Sequence, residues 1–330
     1  MKAIIPVAGI GSRLRPYTHT IPKALLYVAG KPILGHILDQ VYELGIKEVV
    51  LIIGYLGDKI KEYVLAEYQH MNFEFAVQKE MNGPGHAIYL TKSYIKEDDK
   101  LLIIYGDTIF VGDMTNGLKT DKDASLAVKR VDDPRRFGVV EMEGDKIVDV
   151  VEKPDYIKEM DAMIGIYFIN KAKLLFDALE FMVENNRMTK GEFYLTDAFK
   201  VMIEKGNYLT TFQMDGWYDC GKPETLLDTN RYMLSHNGKK EYNIEGCTII
   251  KPVFIDETAT IKNSTIGPNV SIGRGVEIID SKIEDSVINR HSYIEKSILR
   301  NSIIGEDALV KKIIGKINIG CHSEITNIEE

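Results

Sequence analysis

The sequence has few cysteines and no long uninterrupted apolar segment. Its three cysteines, Cys220, Cys247 and Cys321, lie far apart without the spacing of a metal site, which favours a reducing, cytoplasmic setting. No apolar run approaches the roughly 20 residues that a membrane helix needs. The first seven residues lead directly into a glycine-rich turn, which is not the pattern of a signal peptide. These absences argue against a membrane-spanning or secreted protein.

The chain also lacks an excess of positive charge. Its 49 acidic and 41 basic residues give a net charge of −8, which argues against nucleic-acid binding through counterion release. A local basic pocket for a phosphorylated small molecule remains compatible with this balance. A length of 330 residues exceeds the usual size of one compact core, so we expect two domains, or one large domain with an appendage.

Up to about residue 235, short apolar runs alternate with longer amphipathic stretches. The apolar runs predict strands, and the stretches with helical periodicity predict helices over residues 32–44, 58–68 and 85–94. This alternation predicts an α/β domain with a Rossmann-like mixed, mostly parallel sheet. Ligands of such sheets bind at the carboxyl ends of strands, which here are the loops after Val7, Val77 and Tyr105.

After residue 243 the helical pattern ends, and branched residues recur every five or six positions. They are Ile249, Ile255, Ile261, Ile266, Ile272, Ile278, Ile283, Ile288, Ile294, Leu299 and Ile304. Neither a strand nor a helix has this period, whereas the hexapeptide repeat of a left-handed parallel β-helix does. Small residues suit its tight corners: Ser264, Ser281, Ser286 and Ser302. We therefore expect a β-helix over residues 244–330 and a linker over 236–243.

The loop after the first strand, residues 9–23 (GIGSRLRPYTHTIPK), has the composition of a phosphate site. Glycines let backbone amides approach an anion closely. Arg13 offers a planar fork to phosphate oxygens, and Lys23 adds a compact positive charge. A Rossmann fingerprint would need glycine in place of Leu14, and the Gly-Lys-Pro at residues 30–32 does not match a Walker A loop. Both rival phosphate motifs are therefore weak, and we interpret the loop as a phosphate site of another kind rather than a surface loop with incidental basic residues.

Two other loops carry polar groups suited to a nucleotide. Asp107 follows the apolar run 101–105, where a carboxylate either closes a turn or binds a hard cation such as Mg²⁺. Gln78 offers a donor and an acceptor that could meet the imide edge of a pyrimidine. Gly83 and Gly85 would let the backbone close over the base.

The spacing Gly-x-Gly-x-Arg-Leu-x-Pro-x-Thr-x-x-x-Pro-Lys resembles the signature of the sugar-phosphate nucleotidyltransferases, also called nucleoside-diphosphate-sugar pyrophosphorylases. The resemblance covers the whole chain, because many members carry a carboxy-terminal left-handed β-helix. It implies a nucleotidyltransferase domain over residues 1–235. It also implies that Arg13 and Lys23 grip the nucleotide phosphates and the departing pyrophosphate.

The resemblance implies further site residues. Asp107 and Asp219 would bind Mg²⁺, and Arg13, Lys23 and Lys153 would act in catalysis. The implied nucleotide contacts are Ala8, Gly9, Gly11, Ser12, Arg13, Gln78, Gly83 and Gly85. The implied sugar-phosphate contacts are Gly138, Glu152, Lys153, Gly165 and Glu192, with Glu152 accepting hydrogen bonds from sugar hydroxyls and Lys153 neutralising the phosphate. Cys220, next to Asp219, is expected to be a packed residue rather than a nucleophile.

The motifs point to two substrate classes. Ile164 before Gly165 and the run 217–222 resemble the glucose-1-phosphate thymidylyltransferases, whereas the runs 83–87 and 190–196 resemble the uridylyl and N-acetylglucosamine branch. The expected reaction condenses a hexose 1-phosphate, foremost glucose 1-phosphate, with dTTP or UTP to give an NDP-sugar and pyrophosphate. UDP-N-acetylglucosamine pyrophosphorylase and mannose-1-phosphate guanylyltransferase stay open as alternatives.

A non-catalytic, nucleotide-sugar-sensing subunit is the alternative outside enzymes. Such a subunit would have lost the basic or metal-binding residues that this chain retains. The β-helix region has under ninety residues, and its His291 and His322 have no catalytic setting, which favours a structural, oligomerising role over an acyltransferase. We expect a homo-oligomer with small-molecule substrates and without nucleic-acid or membrane partners.

Overall fold

The computed structural model describes residues 1–237 and 240–327 and divides the chain into two compact units. The first unit comprises Met1–Gly9, Ile37–Gly106 and Phe110–Trp217. The second unit comprises Ile10–His36, Asp107–Ile109 and the chain from Tyr218 onward. Gly238 and Lys239 of the predicted linker, and residues 328–330 of the predicted β-helix domain, lie outside the described residues. None of the helices in the described ranges is long and apolar enough to cross a membrane.

The part of the chain before the β-helix contains seven α-helices and thirteen strands in its described residues. In chain order they are β1 (Lys2–Pro6), β2 (Tyr27–Val28), β3 (Lys31–Pro32), α1 (Ile33–Glu43), β4 (Glu48–Ile53), α2 (Gly57–Glu67), β5 (Asn72–Val77), α3 (Pro84–Tyr89), β6 (Leu101–Ile104), β7 (Thr108–Val111), α4 (Thr115–Leu118), β8 (Ala124–Val131), β9 (Gly138–Glu143), β10 (Lys146–Glu152), β11 (Met160–Ile169), α5 (Ala172–Glu184), α6 (Leu195–Glu204), β12 (Leu209–Gln213), β13 (Gly216–Asp219) and α7 (Pro223–Asn237). Short 3₁₀ turns lie at Ser12–Leu14, Tyr17–His19, Lys23–Leu25 and Lys92–Tyr94.

Nine strands of the first unit form one mixed sheet. Its order is β10-β9-β11-β6-β1-β4-β5, with β8 paired to β11 and β12 paired to β8. The strands β6, β1, β4 and β5 are parallel, as the alternation of strands and helices predicts, whereas β11 runs antiparallel to β6, β8 and β9. The predicted Rossmann-like mixed sheet is confirmed.

Three of the parallel strands, β1, β4 and β6, are mainly apolar because both faces of this part of the sheet are covered, whereas the edge strand β5 is largely exposed. Ile4, Leu51 and Ile103, one from each of three neighbouring strands, are all completely buried. Since β1 pairs in parallel with both β4 and β6, the three carboxyl ends lie at the same edge of the sheet. Because β4 also pairs in parallel with β5, the segment that ends at Gly9 and the loop after β5 begin at the same edge of the sheet.

One predicted helix is shorter than the sequence suggests. The periodicity predicts a helix over residues 85–94, but α3 ends at Tyr89 and a 3₁₀ turn follows at Lys92–Tyr94. The Thr91 hydroxyl donates a hydrogen bond to the Ile88 carbonyl oxygen at 2.7 Å. This local side-chain bond competes with continued α-helical hydrogen bonding, which explains the early end.

The carboxy-terminal part of the second unit is a parallel β-helix. Fifteen strands in the described residues form three five-stranded parallel sheets. They are β14 (Thr248–Ile249), β15 (Val253–Ile255), β16 (Thr260–Lys262), β17 (Thr265–Ile266), β18 (Val270–Ile272), β19 (Glu277–Ile279), β20 (Lys282–Glu284), β21 (Val287–Ile288), β22 (Tyr293–Glu295), β23 (Ile298–Arg300), β24 (Ile303–Ile304), β25 (Leu309–Lys311), β26 (Ile314–Gly315), β27 (Asn318–Ile319) and β28 (Glu324–Thr326). The predicted left-handed β-helix is confirmed.

The spaced aliphatic residues form ladders inside the coils. Ile255, Ile272, Ile288, Ile304 and Ile319 occupy matching positions of successive coils. Most inward residues are buried almost completely, so each coil closes a core that it could not bury alone. The alternation of five- and six-residue spacings in the sequence therefore reflects the flat faces of the coils.

The serines predicted at the corners satisfy backbone amides of the neighbouring coil. The Ser264 hydroxyl accepts a hydrogen bond from the Ser281 amide at 3.0 Å, and the Ser286 hydroxyl accepts one from the Ser302 amide at 3.1 Å. Ser281 repeats the pattern toward Ser297 at 3.0 Å. Because a buried amide without a partner is costly, a small hydroxyl residue is favoured at these corners.

A glycine-to-alanine pair tests how tightly the coils stack. Gly267 has a φ of +107°, and an added Cβ would overlap the Ile250 carbonyl oxygen of the preceding coil. Gly315 has a φ of +129°, but an added Cβ meets nothing within 4 Å. We expect Gly267→Ala to lower the free energy of unfolding by about 3 kcal/mol and Gly315→Ala by about 1 kcal/mol, because only the first adds a clash to the backbone strain. Denaturant unfolding measures both, and equal losses would contradict the stacking argument.

Candidate active site

Three charged side chains meet in the second unit. The Lys23 ammonium lies 2.9 Å from Asp107 Oδ2 and 4.0 Å from Asp219 Oδ1. The lysine side chain is 15% exposed, whereas the carboxylates of Asp107 and Asp219 are 50% and 43% exposed. The lysine is therefore held in place while both carboxylates keep an open side toward solvent.

Local hydrogen bonds hold the two aspartates. The Cys220 amide donates to the Asp107 carbonyl oxygen at 3.2 Å, which fixes the residue after Asp219 next to Asp107. The Thr108 hydroxyl donates to Asp107 Oδ1 at 3.2 Å. Asp107 and Asp219 are far apart in sequence, and these contacts bring them to one lysine.

The chemistry of this cluster suits a divalent cation. Two carboxylates against one ammonium leave a local excess of negative charge, and their exposed oxygens are the ligands that Mg²⁺ prefers. Asp107 and Asp219 are the residues of this cluster that would hold the ion. The residues present therefore fit a magnesium site.

The glycine-rich turn packs against the same lysine. Gly11 has a φ of +66°, and an added Cβ would lie 3.1 Å from Lys23 Cβ and 3.0 Å from Thr18 Cγ2. The Thr18 hydroxyl donates to the Gly11 carbonyl oxygen at 2.8 Å. Ser12 and Arg13 follow on the exposed side of the turn. The turn thus exposes the Arg13 side chain to solvent, while Gly11 is packed against Thr18 and Lys23.

Cys220 is a packed residue, as the sequence suggested. Its side chain is completely buried, and burial raises the pKa of the thiol to about 12 despite the hydrogen bond to Thr229. A thiol with this pKa stays protonated at neutral pH and is a poor nucleophile.

The first unit has an open cleft of about 270 Å³ at the carboxyl ends of its parallel strands. Its lining residues are Pro6, Ala8, Gly9, Gln78, Met81, Gly83, Pro84, Ala87 and Glu192. The structure thus brings four of the predicted nucleotide residues of this unit together with Glu192, which the resemblance assigned to the sugar. Gln78 is 6% exposed, and its Nε2 lies 3.5 Å from the Gly83 carbonyl oxygen, so its amide is held at the wall of the cleft.

Two loops of this cleft are joined by backbone hydrogen bonds. The Gly85 amide donates to the Phe193 carbonyl oxygen at 2.7 Å, and the Phe193 amide donates to the Asn82 carbonyl oxygen at 2.9 Å. An added Cβ would lie 2.6 Å from the Phe193 carbonyl oxygen at Gly83 and 2.9 Å from it at Gly85. The two glycines are therefore required by the contact between the loops.

Glu152 is nearly buried in the first unit. Its side chain is 7% exposed, and its Oε2 accepts a hydrogen bond from the Thr196 hydroxyl at 2.7 Å. An added Cβ on Gly138 would lie 2.6 Å from the Thr196 hydroxyl oxygen and 3.0 Å from Glu152 Oε2, so only glycine fits there. Burial raises the pKa of Glu152 above its ordinary value, although the Thr196 bond and the Lys153 charge act in the opposite direction.

Lys153 is positioned by two neighbours. Its ammonium donates to the Tyr194 hydroxyl at 2.7 Å and lies 3.5 Å from Glu152 Oε1. Burial alone would lower the pKa of Lys153, but the Tyr194 hydrogen bond and the Glu152 charge raise it above its ordinary value. The lysine therefore stays charged in a partly buried site, as an anion-binding group must.

Gly165 is held in a different setting. It is buried with a φ of +94°, and an added Cβ would lie 3.0 Å from the ring of Tyr105. The Tyr105 amide donates to the Gly165 carbonyl oxygen at 2.9 Å. The direct surroundings of Gly165 are therefore β11 and the aromatic ring. By contrast, Gly138 and Glu152 both adjoin Thr196, and Lys153 lies between Glu152 and Tyr194.

Sequence reasoning missed the residues that support these groups. Thr196 binds Glu152, Tyr194 binds Lys153, and Pro6 and Met81 line the cleft. Thr196 and Tyr194 lie in the quoted run 190–196, so their sequence signal was proximity to Glu192. The identity of their partners, 41 and 44 residues away, could not be read from that run.

Comparisons with known proteins show the family of the chain. The profile of the nucleotidyl transferase family matches residues 2–236. The bifunctional protein GlmU of Methanococcus vannielii is 33% identical over 362 aligned positions, which cover 99% of this chain and 81% of that protein. The glucose-1-phosphate thymidylyltransferase of Streptomyces griseus is 29% identical over an alignment that covers 100% of this chain and 95% of that protein.

A solved structure is also similar. The crystal structure of a provisionally assigned glucose-1-phosphate thymidylyltransferase from Bacillus anthracis, in complex with sucrose, superposes with a TM-score of 0.62 at 27% identity. The match covers 74% of this chain and 98% of that one. These findings confirm the resemblance derived from the signature loop. The chain belongs to the nucleotidyl transferase family, and it is a sugar-phosphate nucleotidyltransferase.

Proposed function

We propose that the protein condenses a hexose 1-phosphate, foremost glucose 1-phosphate, with dTTP or UTP to give an NDP-sugar and pyrophosphate. The observation that carries the proposal is the cluster in which Lys23, the last residue of the signature loop, meets Asp107 and Asp219. A cation beside two half-exposed carboxylates is suited to handling a metal-bound triphosphate.

The reaction is an in-line displacement at phosphorus. A non-bridging oxygen of the sugar 1-phosphate attacks the α-phosphorus of the triphosphate, a new P–O bond forms, and the bond to pyrophosphate breaks. The attacking oxygen is already anionic at neutral pH, so no general base is required. The barrier comes from repulsion between two polyanions, and the chain must supply positive charge and orientation.

The basic residues divide this work. Lys153, held by Tyr194 and Glu152, neutralises the sugar phosphate, and Glu152 accepts hydrogen bonds from sugar hydroxyls. Arg13 and Lys23 bind the triphosphate and the departing pyrophosphate. A Mg²⁺ ion on Asp107 and Asp219, when bound, offsets the negative charge of the phosphates.

The base is read in the cleft of the first unit. The Gln78 amide offers one donor and one acceptor, which complement the N3–H and a flanking carbonyl of a pyrimidine imide edge. Both dTTP and UTP carry this edge, so the glutamine supports a pyrimidine without choosing between the two. Gly83 lines the same cleft, and its lack of a side chain leaves room for a flat base.

A second candidate is UDP-N-acetylglucosamine synthesis from UTP and N-acetylglucosamine 1-phosphate. The runs 83–87 and 190–196 resemble that branch, and they pack against each other through the Gly85–Phe193 and Phe193–Asn82 hydrogen bonds. The two similar motifs thus form one local substructure. Ile164 supports glucose instead, because it lacks the amide that the N-acetylglucosamine branch carries before the glycine.

A matrix of substrates tests the proposal. Each common nucleoside triphosphate is incubated with Mg²⁺ and the 1-phosphates of glucose, N-acetylglucosamine, mannose and galactose, and pyrophosphate release is measured. We expect the highest kcat/KM for dTTP or UTP with glucose 1-phosphate, because Gln78 suits a pyrimidine and Ile164 offers no amide. A preference for N-acetylglucosamine 1-phosphate would establish the second candidate. If no pair of substrates released pyrophosphate, both candidates would be refuted.

Replacement of the carboxylates tests the metal site. We expect Asp107→Asn and Asp219→Asn each to lower kcat by about 100-fold, as the loss of a group that stabilises transition-state charge does. Both asparagines keep the size of the side chain, so thermal unfolding should stay close to that of the unchanged chain. Asp98→Asn, on the exposed surface, is the matched control and should retain full activity. Near-normal pyrophosphate release from either site variant would refute the metal assignment.

The Thr196–Glu152 bond predicts a pH effect. Thr196→Val keeps the shape of the side chain but removes the donor that stabilises the charged form of Glu152, so the pKa of Glu152 should rise further. Since the charged form accepts from the sugar, the acid limb of kcat/KM for the sugar phosphate should move to higher pH. Thr210→Val in β12 is the control for the substitution itself. An unmoved acid limb would show that Glu152 does not titrate in sugar binding.

A further inference from the structure

The signature loop and the β-helix belong to the same compact unit. Residues 10–36 group with the chain from Tyr218 onward, although β1 leads directly into this loop. The loop carries Arg13 and Lys23, the two cations that the proposed function assigns to the triphosphate. Its contacts with the coils therefore bear directly on where those cations lie.

Tyr17 connects the middle of the loop to a coil. Its hydroxyl donates a hydrogen bond to the Ile303 carbonyl oxygen in β24 at 3.0 Å, and the residue is 1% exposed. Burial raises the pKa of Tyr17 far above its ordinary value, so the hydroxyl remains a neutral donor. A buried hydrogen bond of this kind fixes the position of the side chain, because the buried hydroxyl would otherwise be left without an acceptor.

The residue after Tyr17 carries this position to the phosphate-binding turn. Thr18 is also 1% exposed, and its hydroxyl donates to the Gly11 carbonyl oxygen at 2.8 Å. Gly11 in turn packs against Thr18 and Lys23, with no room for a side chain. The order of contacts is therefore coil, Tyr17, Thr18, Gly11 and Lys23.

A second contact supports the same part of the loop. Pro16 packs on Gly320, which follows β27, and an added Cβ on Gly320 would lie 3.1 Å from Pro16 Cβ. Ile304 and Ile319 pair in the adjoining strands β24 and β27, so Tyr17 and Pro16 rest on two successive coils. Any residue larger than glycine at position 320 would push against the loop.

The segment that follows the signature loop is fixed as well. Asn230 of α7 is completely buried, and its Oδ1 accepts hydrogen bonds from the Ala29 amide at 3.0 Å and from the Ser271 hydroxyl at 2.6 Å. Gly30 packs against the ring of Phe254 in β15, where an added Cβ would lie 2.5 Å from the ring. Residues on both sides of Lys23, Tyr17 before it and Ala29 and Gly30 after it, thus contact α7 or the coils.

We propose that the β-helix is the positioning scaffold of the triphosphate-binding loop, with Tyr17 as the positioning residue that couples the coils to Gly11 and Lys23. The proposal deepens the proposed function and rests on it. No residue of the β-helix has to touch a substrate. The coils instead fix the backbone of the turn, which supplies amides and cations to a reaction that is sensitive to displacements of about 1 Å.

Steady-state kinetics of the full-length chain with Tyr17→Phe tests the proposal. The variant keeps the buried ring and removes only the hydroxyl, so we expect it to remain folded. Because the loop serves the triphosphate, kcat/KM for the nucleoside triphosphate should fall about tenfold. The KM for the sugar phosphate, whose proposed contacts lie in the first unit, should stay unchanged. Tyr293→Phe removes a hydroxyl elsewhere in the β-helix and should behave like the unchanged chain.

Gly320→Ala is the second variant, because it acts from the coil side and alters no residue of the loop. It should give the same selective loss for the triphosphate, and Tyr17→Phe with Gly320→Ala should lose less than the product of the single losses. A mere loss of folded protein would lower kcat for both substrates and leave both KM values unchanged, which would overturn the proposal. Unchanged constants in both variants would also overturn it.

The design separates this inference from the proposed function. An unchanged chain that is active, with both variants equally active, would remove the scaffold role and leave the nucleotidyl transfer in place. If the unchanged chain released no pyrophosphate with any of the substrate pairs, the proposed function would be refuted, and this inference with it.

Discussion

The meeting of Lys23 with Asp107 and Asp219 is the interaction on which the proposed chemistry depends. Two phosphate-bearing substrates repel each other, so the proposed reaction requires positive charge at fixed positions. The ion pairs orient the nearly buried lysine, and the half-exposed carboxylates keep oxygens accessible to the Mg²⁺ that would supply further positive charge. The same constraint explains why the signature loop combines glycines with basic residues.

In the proposed function, the first unit recognises the base and the sugar, the parts by which one substrate differs from another. Its cleft brings Gln78 and Glu192 together, and the hydrogen bonds between the two loops make their geometry interdependent. The nearly buried Glu152 and the positioned Lys153 form a second pair, supported by Thr196 and Tyr194. Backbone glycines occur where these elements approach most closely, so several of the glycines are explained by packing.

The proposed scaffold role gives the β-helix a function beyond closing its own core. Its repetitive coils form a stiff stack of parallel strands, with amides satisfied by corner serines. A stiff stack is suited to hold a loop that has little regular structure of its own beyond 3₁₀ turns. The contacts of Tyr17 and Asn230 with the coils indicate how the stack does so.

The sequence by itself determined the fold class, the repeat of the β-helix and the family, because periodicity and the signature loop are local patterns. It also named the charged residues of the candidate site. Only the tertiary structure decided their partners: Thr196 for Glu152, Tyr194 for Lys153 and Ile303 for Tyr17. The partners of Glu152, Lys153 and Tyr17 are separated from them by tens to hundreds of residues, and their contacts exist only once the chain has folded. The early end of α3 has a local cause, the hydrogen bond from the Thr91 hydroxyl to the Ile88 carbonyl oxygen, which periodicity does not register.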